Sequence, residues 1–250
     1  MSVRGAVIVG SSSGVGRALT QRLAQEGYNL VITSRDPRDL EATAVDLRLR
    51  YGIECWVIAQ DIAQEGWDAV DFAKTCQQKL GSVDCLLVPA GSANAADAGP
   101  NPDVLEDVFG ANYLGPAKLA AAFGQLLGER GSGSIVLFSS IAAVAPRSKN
   151  PAYSAAKAAL ETYAAGLRHA LASRNVAVMV VALGYVDTPQ SFGLSLLLPI
   201  ASPEAVAEHV VGRLLRASAR GGKVYFPSFW WGVTTTLRLM PWSIYRRLQF

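Results

Sequence analysis

Short, wholly apolar stretches alternate along the chain with longer segments in which apolar residues recur every three or four positions. The short stretches are rich in β-branched residues and do not alternate with polar ones, which is typical of parallel strands covered on both faces. We predict seven such strands: Ala6–Val9, Leu30–Thr33, Cys55–Ala59, Cys85–Val88, Ser134–Ser139, Val176–Ala182 and Lys223–Phe226. Helical patterns lie between them, as in Arg17–Glu26, Arg38–Arg50 and Ala155–Ala172.

Regular alternation of strand and helix predicts an α/β fold, a single Rossmann-type doubly wound parallel sheet with helices on both faces. The loop Gly99–Pro102 interrupts the alternation without ending it, and the sequence contains no internal repeat and no low-complexity linker. We therefore expect one domain over residues 1–226. Residues 227–250 follow the last predicted strand as an aromatic, amphipathic tail.

Composition favours a large buried core, because half of the 250 residues are hydrophobic and 17% are charged. The formal net charge of +3 is too small to indicate nucleic-acid binding. Cys55, Cys76 and Cys85 lack the spacing of metal ligands, so we expect reduced, buried thiols and no metal site. His169 and His209 fall in helical patterns, where we expect surface positions.

Nothing near the N-terminus resembles a signal peptide, and no apolar run reaches the roughly 20 residues of a membrane span. We expect a cytoplasmic protein whose contact with membrane, if any, is made by its surface.

A glycine-rich turn follows the first predicted strand, with the sequence Gly10-Ser11-Ser12-Ser13-Gly14-Val15-Gly16. Glycines permit a tight turn and let backbone amides approach a pyrophosphate, and the N-terminus of the next helix adds partial positive charge. An ordinary glycine-rich turn would look similar, so the turn alone leaves dinucleotide binding open. Its spacing, G-x-x-x-G-x-G, differs from the common G-x-G-x-x-G.

The end of the second predicted strand is where the ribose of an adenosine would lie. A site for NAD places a carboxylate there, whereas a site for NADP places an arginine that binds the 2′-phosphate. Ser34 and Arg35 occupy this point, while Asp36 lies beyond the strand end and is typical of a turn or helix cap. The pattern favours NADP(H), with an ordinary solvated Arg35 as the alternative.

Tyr153 and Lys157 are four residues apart in a helical pattern and so share one helix face. An ammonium beside a phenol lowers the phenol pKa from about 10, which would suit Tyr153 to acid or base chemistry at a carbonyl or alcohol. An amphipathic helix often contains such a pair by chance. The preceding strand ends in two hydroxyls, and alternation places Ser139 and Ser140 on opposite faces.

Several motifs, taken in order, resemble those of the short-chain dehydrogenase/reductase family over residues 3 to 226. They are the glycine turn, Ala111-Asn112-Tyr113-Leu114-Gly115, Ser140 thirteen residues before Tyr153-Ser154-Ala155-Ala156-Lys157, and Gly184-Tyr185-Val186-Asp187-Thr188-Pro189. The family's Asn-Asn-Ala-Gly is replaced by Val88-Pro89-Ala90-Gly91, and its Pro-Gly by Leu183-Gly184. We expect a repacked loop rather than the loss of a cofactor.

The resemblance implies a role for each matching residue. Tyr153 would donate a proton to the substrate oxygen, and Lys157 would hold the nicotinamide ribose and tune the tyrosine. Ser140 would hydrogen-bond the substrate carbonyl, and Asn112 would fix a water that connects Lys157 to solvent. The implied cofactor-binding residues are Gly10, Ser12, Ser13, Gly14, Val15, Gly16, Arg35, Asp61, Ala90, Gly91, Tyr153, Lys157, Gly184, Val186 and Thr188.

Two of the implied cofactor contacts are more specific. Thr188 would touch the nicotinamide carboxamide. Asp61 would contact adenine, although on its own it could equally be a helix cap.

These motifs together predict an NADP(H)-dependent oxidoreductase that reduces a ketone to a secondary alcohol, with residues 1–226 as its dinucleotide-binding catalytic domain. One alternative is an NADP-linked alcohol dehydrogenase that works oxidatively. Another is a non-catalytic dinucleotide sensor, which would have no need of Asn112, Ser140, Tyr153 and Lys157. The resemblance also implies a homo-oligomer, either a dimer or a tetramer.

Two apolar segments indicate what kind of substrate the protein binds. Phe192–Ile200 lies where the family has a substrate-covering loop, and it suits an apolar substrate or a helix packed on the core. The tail, Trp230–Phe250, resembles the tails of bacterial polyprenyl-phosphate keto-sugar reductases, while Asn112–Gly115 and Asp187–Pro189 resemble 3-ketosphinganine reductases. Both resemblances imply a hydrophobic or lipid-linked carbonyl substrate.

Pro241 must divide the tail, because proline breaks a helix. After it, Trp242, Tyr245 and Leu248 recur at helical spacing, and arginines flank them. This pattern predicts either a helix lying in a bilayer interface, which would give peripheral membrane contact, or a segment docked over the protein's own core or a dimer partner.

Overall fold

Each predicted apolar stretch forms a strand in the computed structural model, which describes residues 4–92, 96–188, 199–216 and 221–247. The strands are β1 (Gly5–Val9), β2 (Asn29–Ser34), β3 (Cys55–Ala59), β4 (Cys85–Val88), β5 (Gly133–Ser140), β6 (Val176–Leu183) and β7 (Gly222–Phe226). All six neighbouring pairs are parallel, in the order β3-β2-β1-β4-β5-β6-β7. The predicted Rossmann-type sheet is confirmed.

Helices connect the strands and cover both faces of the sheet. They are α1 (Gly14–Gln25), α2 (Arg38–Tyr51), α3 (Ala69–Leu80), α4 (Leu105–Phe109), α5 (Gly115–Arg130), α6 (Pro151–Leu171), α7 (Pro203–Leu214), α8 (Trp230–Leu239) and α9 (Trp242–Tyr245). A π-helical turn, Gly110–Leu114, joins α4 to α5. Proline in the first turn favours the starts of α6 and α7, since its missing N–H would have no helical partner there.

The apolar side chains form two large cores, one on each face of the sheet. Helices α1, α2 and α7 pack on one face, and α3, α5 and α6 pack on the other. Successive side chains of β5 point to opposite faces of the sheet and so contribute to both cores. Val136 points into the first core, and Ile135 and Leu137 point into the second. Continuous apolar sequence in a strand is therefore required by the fold.

The three cysteines are free and buried, as predicted. Burial raises the pKa of each thiol to about 12, which keeps it protonated and unreactive. His169 is exposed, but the prediction of a surface position is wrong for His209. The imidazole of His209 is half-buried, 4.9 Å from the ring of Phe226, because α7 packs on β7.

The tail forms two short helices that meet at Pro241, so the predicted break is confirmed. One side of the tail is docked on the domain. Trp230 and Thr234 are buried there, and the Tyr245 hydroxyl donates a hydrogen bond to the Pro146 carbonyl over 2.5 Å. The prediction that the tail docks over its own core is thus confirmed for this side.

The other side of the tail is exposed and apolar. Its members are Trp231, Leu239, Trp242 and Ile244, which we call the tail surface. Leu248 lies outside the described residues, as does most of the segment Phe192–Ile200. Within the described ranges, no helix combines the length and the apolar character needed to cross a membrane.

Candidate active site

The predicted site residues collect at the carboxyl edge of the parallel sheet. The order in which successive strands are added to the sheet reverses between β1 and β4. In open α/β sheets, ligands bind in the crevice at this point. The glycine turn follows β1, Arg35 follows β2, Asp61 follows β3, Gly91 follows β4, Ser140 ends β5, and Gly184 follows β6.

The glycine turn is so closely packed that side chains are excluded at two positions. Gly10 has φ +100°, and a Cβ placed on it would lie 2.8 Å from the Ala90 Cα. A Cβ on Gly16 would lie 1.8 Å from the Gly10 carbonyl oxygen. The N–H groups of Gly10 and Ser11 both donate to the Thr33 carbonyl, over 2.8 and 3.0 Å, and this fixes the turn against β2.

The N-terminus of α1 leaves backbone donors for a ligand. Ser13 is the N-cap residue, but its side chain makes no capping hydrogen bond, and the first turn contains no acidic residue. Ser12 is half-buried, and Val15 packs on the first core. Thr188 lies over the turn, since a Cβ on Gly14 would be 3.0 Å from its Cγ2. These features fit a pyrophosphate group, because uncapped amides and the helix dipole both favour an anion.

The end of β2 offers a cation and no free carboxylate. Arg35 is exposed and makes no hydrogen bond or ion pair with the rest of the described chain. Asp36 accepts hydrogen bonds from the Arg38 backbone N–H at 3.1 Å and from its guanidinium at 2.9 Å. Arg38 holds the pKa of Asp36 down at about 2. Asp36 therefore serves the start of α2, as predicted, and Arg35 is left for the 2′-phosphate position.

Asp61 follows β3 and closes a turn, in which its Oδ1 accepts the Ala63 N–H at 2.9 Å. The helix-cap alternative for Asp61 is wrong, because Asp68 caps α3 by accepting the N–H groups of Val70 and Asp71. The location of Asp61 at the strand end is compatible with the adenine contact that the family resemblance implies.

Ser140 and Tyr153 meet at the end of β5 and the first turn of α6. A hydrogen-bond interaction between the Ser140 hydroxyl and the phenol favours the ionised phenol. Ser139 points to the other side of the strand, where its Oγ donates to Glu161 Oε1 over 2.7 Å. The predicted division of roles between the two serines is therefore supported by their opposite orientations.

Burial governs the acid strength of Tyr153. Burial raises the pKa of the phenol, and the opposing effects of Ser140 and the Arg147 charge do not reverse this. The expectation that Lys157 lowers the phenol pKa is wrong for this arrangement. The Lys157 Nζ lies 5.7 Å from the ring centroid, and burial lowers the pKa of Lys157 itself to about 8. In the protein without its ligands, the phenol therefore holds its proton at neutral pH.

Lys157, Asn112 and Gly91 converge behind the tyrosine. The Lys157 Nζ donates to the Phe138 carbonyl over 3.0 Å. A Cβ on Gly91 would lie 2.7 Å from Asn112 Oδ1 and 3.1 Å from Lys157 Nζ, so the glycine allows the amide and the ammonium to share one space. The fold thus brings together four predicted residues: Gly91 after β4, Asn112 in the π-helical turn, and Tyr153 and Lys157 in α6.

Asn112 is fully buried in the π-helical turn. Its Nδ2 donates to the carbonyls of Ser92 and Val108 at 2.8 and 2.9 Å, and its Oδ1 accepts the Ser92 N–H at 3.2 Å. These bonds tie the loop after β4 to α4 although the asparagines of the usual family motif are missing. Single π-helical turns within α-helices are frequently found at functional sites.

Sequence analysis missed Asp97, which positions the start of α6. Its buried carboxylate accepts the N–H groups of Ala152 at 3.0 Å and Tyr153 at 2.8 Å. The two partners are 55 and 56 residues away, so no local pattern could have identified them. Glu161 was also missed, although it lies one helical turn after Lys157 and its charge raises the Lys157 pKa.

A second missed group lines the side of the site opposite the glycine turn. A Cβ on Gly184 would lie 1.9 Å from Trp230 Nε1, so the indole occupies the space next to the chain after β6. The Trp230 and Tyr185 rings meet edge to face at 5.4 Å. The Arg147 Nη1 donates to the Tyr185 hydroxyl over 3.4 Å. We call Arg147, Tyr185, Trp230 and Tyr245 the substrate-side group.

Solved structures share this fold. An NADPH complex of a short-chain dehydrogenase from Sphingobium yanoikuyae matches with a TM-score of 0.80 at 21% identity, covering 99% of this chain and 97% of that one. A bulky-bulky ketone specific alcohol dehydrogenase from Comamonas testosteroni matches with a TM-score of 0.79 at 22% identity, covering 100% and 96%. At these identities the likeness concerns the fold.

Proteins related in sequence, and the match to a family model, identify the family. A Streptomyces violaceoruber protein, named as ketoacyl reductase 2 of the granaticin polyketide synthase, is 32% identical over 237 residues, covering 88% of this chain and 92% of the relative. A very-long-chain 3-oxoacyl-CoA reductase of Podospora anserina is 28% identical, covering 90% and 67%. The short chain dehydrogenase family model matches residues 4–194. The chain is therefore a member of the short-chain dehydrogenase family of oxidoreductases.

Proposed function

We propose that the protein reduces a ketone to a secondary alcohol with NADPH, and that Tyr153 is the proton donor. The observation that supports this most directly is the grouping of Ser140, Tyr153 and Lys157 beside a turn that fits a pyrophosphate. Relatives named for the reduction of ketoacyl and 3-oxoacyl groups support a carbonyl substrate.

The chain's own residues supply the proton chemistry. Bound at the glycine turn, NADPH would supply the hydride that the carbonyl carbon receives. The Ser140 hydroxyl hydrogen-bonds the carbonyl oxygen, and Tyr153 donates its proton to that oxygen as negative charge develops. The resulting phenolate is stabilised by Ser140 and by the nearby positive charge of Arg147. Lys157, with a pKa of about 8, then returns a proton from the Asn112 side.

Relatives that are named for the reduction of ketoacyl and 3-oxoacyl groups favour reduction over the oxidative alternative. The burial of Asn112 and Lys157 and the hydrogen-bond interaction between Ser140 and Tyr153 likewise argue against a sensor without catalysis.

The proposed cofactor is NADP(H) rather than NAD(H). Ser34 replaces a carboxylate at the end of β2, Asp36 is bound by Arg38, and Arg35 is free to bind a 2′-phosphate. The proposed binding residues are those that the family resemblance implies, from Gly10 through Thr188. A homo-oligomer remains our prediction from the same resemblance, and a cytoplasmic location remains our prediction from the sequence.

The tail surface supports a hydrophobic or lipid-linked substrate. Trp231 is 64% exposed, Trp242 71% and Leu239 79%, whereas the opposite side of the tail is docked beside the site. Arg238, Arg246 and Arg247 are exposed around these apolar residues. Aromatic residues flanked by arginines suit a membrane interface, so we propose that the tail surface makes peripheral contact with lipid.

A substrate screen tests the proposed reaction. Purified full-length protein is mixed with NADPH and detergent-dispersed ketones, and the loss of NADPH absorbance is followed. We expect ketone-dependent oxidation of NADPH. Oxidation of alcohols by NADP without ketone reduction would favour the oxidative alternative. Cofactor binding without turnover in either direction would favour the non-catalytic sensor.

Liposome flotation tests the lipid proposal. The intact chain should float with anionic vesicles, whereas a variant that carries Trp231→Ser and Leu239→Ser should not, because both residues are exposed members of the tail surface. Deletion after Phe226 would also remove Trp230, so the double variant is the better control. An intact chain that stays with the soluble fraction would contradict membrane contact.

A further inference from the structure

Arg147 occupies a fixed position at the entrance to the site. It lies between Ser140 and Tyr153 in sequence, beyond a short 3-10 turn, Ile141–Ala143. The carbonyl of the preceding residue, Pro146, accepts the hydrogen bond from Tyr245. The side chain is half-buried, and Tyr185, the residue it contacts, directly follows Gly184. Arg147 is therefore held between the reacting tyrosine and the docked tail.

Within the described chain, the guanidinium of Arg147 lacks a carboxylate partner of the kind that Arg22 and Arg130 have. Arg22 pairs with Glu26 and Glu208 at 2.5 Å, and Arg130 pairs with Asp84 at 2.6 Å. Within the described chain, Arg147 has no carboxylate partner, and its hydrogen bond to the neutral Tyr185 hydroxyl is long, at 3.4 Å. A partly desolvated cation is costly unless an anion compensates it, so the position is suited to an anion that arrives with a ligand.

Two segments beside Arg147, its own loop and the tail, carry positive charge and no negative charge, while the nearby Asp97 carboxylate is bound by the N–H groups at the start of α6. Residues 141–150 contain Arg147 and Lys149 but no acidic residue, and residues 227–250 contain three arginines and no acidic residue. The charge of Arg147 also reaches both neighbouring phenols, since it lowers the pKa of Tyr153 and of Tyr245 against the effect of burial. Such a field attracts an anion to the reacting end of the cleft.

We propose that Arg147 binds an oxyanion, a carboxylate or a phosphate ester, that the ketone substrate itself carries. A guanidinium can bind either group through two parallel hydrogen bonds, which would orient the ketone toward Tyr153. Together with the apolar tail surface, this defines the substrate as an acidic amphiphile. The inference rests on the proposed ketone reduction and names the substrate class for that site.

Paired substrates test the inference in the full-length enzyme. Acetoacetate is compared with ethyl acetoacetate, and dihydroxyacetone phosphate with dihydroxyacetone, so that each pair differs in charge at a similar ketone. The wild type should favour the anionic member in kcat/KM. Arg147→Gln should lower kcat/KM for the anionic member by about 10- to 100-fold more than for the neutral member, mainly through KM, because any effect of the Arg147 charge on Tyr153 is shared by both members. The pair with the larger loss identifies carboxylate or phosphate.

Lys149→Gln provides the matched control, because Lys149 is an exposed cation two residues away on the same loop. It should change neither substrate pair. An equal loss on the charged and neutral ketones in Arg147→Gln would overturn the inference and leave the proposed reduction intact, since Arg147 would then act on Tyr153 alone.

A binding measurement separates failure of the inference from failure of the proposed function. With NADPH saturating, inorganic phosphate and acetate are titrated while thermal unfolding is followed. One of the anions should raise the unfolding temperature of the wild type and of Lys149→Gln but not of Arg147→Gln. Identical responses in all three proteins would overturn the anion site, whether or not a ketone is reduced.

Discussion

The two sides of the cleft above the sheet are built from different parts of the chain. On the nucleotide side, the contacts join backbone atoms. The Gly10 carbonyl fills the space beside Gly16, and the Thr33 carbonyl accepts hydrogen bonds from two N–H groups of the turn. On the substrate side, the contacts join side chains, since Trp230 and Arg147 both contact Tyr185.

Polar groups are also satisfied differently on the two sides. On the nucleotide side, the backbone amides at the start of α1 have no side-chain cap, and an anion fits there. On the substrate side, Trp230 Nε1 has no hydrogen-bond acceptor within the described chain, and Arg147 has no carboxylate there. The cofactor, which the family shares, is bound by a shared backbone turn, whereas the substrate, which varies, is faced mainly by side chains outside the family motifs: Arg147, Trp230 and Tyr245.

Of the variants that test this difference between the two sides, Trp230→Ala should have the largest effect, and the effect is on stability. The indole is 3% exposed, so its removal should lower the free energy of unfolding by about 3–5 kcal/mol and release the tail. Trp231→Ala, at the exposed neighbour, should change stability by less than about 0.5 kcal/mol. Urea unfolding of both variants measures the difference, and equal stabilities would show that the tail is not anchored by Trp230.

Gly16→Ala should act mainly on the nucleotide side. The new Cβ would meet the Gly10 carbonyl oxygen, so the turn must open, at a cost of about 1–3 kcal/mol and with a loss of NADPH affinity of at least about tenfold. Gly166→Ala is the control, because nothing lies within 4 Å of its Cβ position. Titration of NADPH fluorescence checks both. Unchanged affinity in Gly16→Ala, or a larger loss in Trp230→Ala, would break the division between the two sides.

Arg35→Ala should weaken NADPH binding by about 1.5–3 kcal/mol, the scale of a hydrogen bond between charged groups, and change NADH binding little. Arg38→Ala is a useful comparison, because that arginine is already engaged by Asp36. Equal affinity of the unmodified protein for NADH and NADPH would disprove the proposed choice of cofactor.

The smallest expected effect concerns the pH profile. The Glu161 carboxylate raises the pKa of Lys157, so Glu161→Gln should lower it and move the alkaline limb of kcat/KM to lower pH. Lys223→Gln should move the limb in the opposite direction, because Lys223 lies 2.6 Å from Glu161 and partly neutralises it. Profiles that shift together, or not at all, would show that the Lys157 charge does not control the alkaline limb.

Much of the fold could be predicted from the sequence because its signals are local. All seven strands are continuous apolar runs that the two-faced sheet requires, and Pro241 ends α8 as its chemistry dictates. The opposite orientations of Ser139 and Ser140 follow from strand alternation alone. The grouping of the site residues follows once the strands are parallel, because their carboxyl ends share one edge.

What the sequence could not predict depends on contacts between distant segments. Asp97 meets the start of α6 from 55 residues away, and Trp230 meets Gly184 only because the tail folds back. The direction of the Tyr153 pKa was missed for a related reason. Spacing places Lys157 on the same helix face, but the burial of both groups, which decides the outcome, is a property of the packed molecule.

The most direct test is the turnover of Tyr153→Phe with NADPH and a verified ketone, measured alongside NADPH affinity. Removal of the hydroxyl should reduce kcat by on the order of 10²- to 10⁴-fold while NADPH binds as in the wild type, because only proton transfer is lost. Lys157→Ala should reduce both quantities, which distinguishes the two residues. Near-normal turnover in Tyr153→Phe would contradict the assignment of Tyr153 as the proton donor.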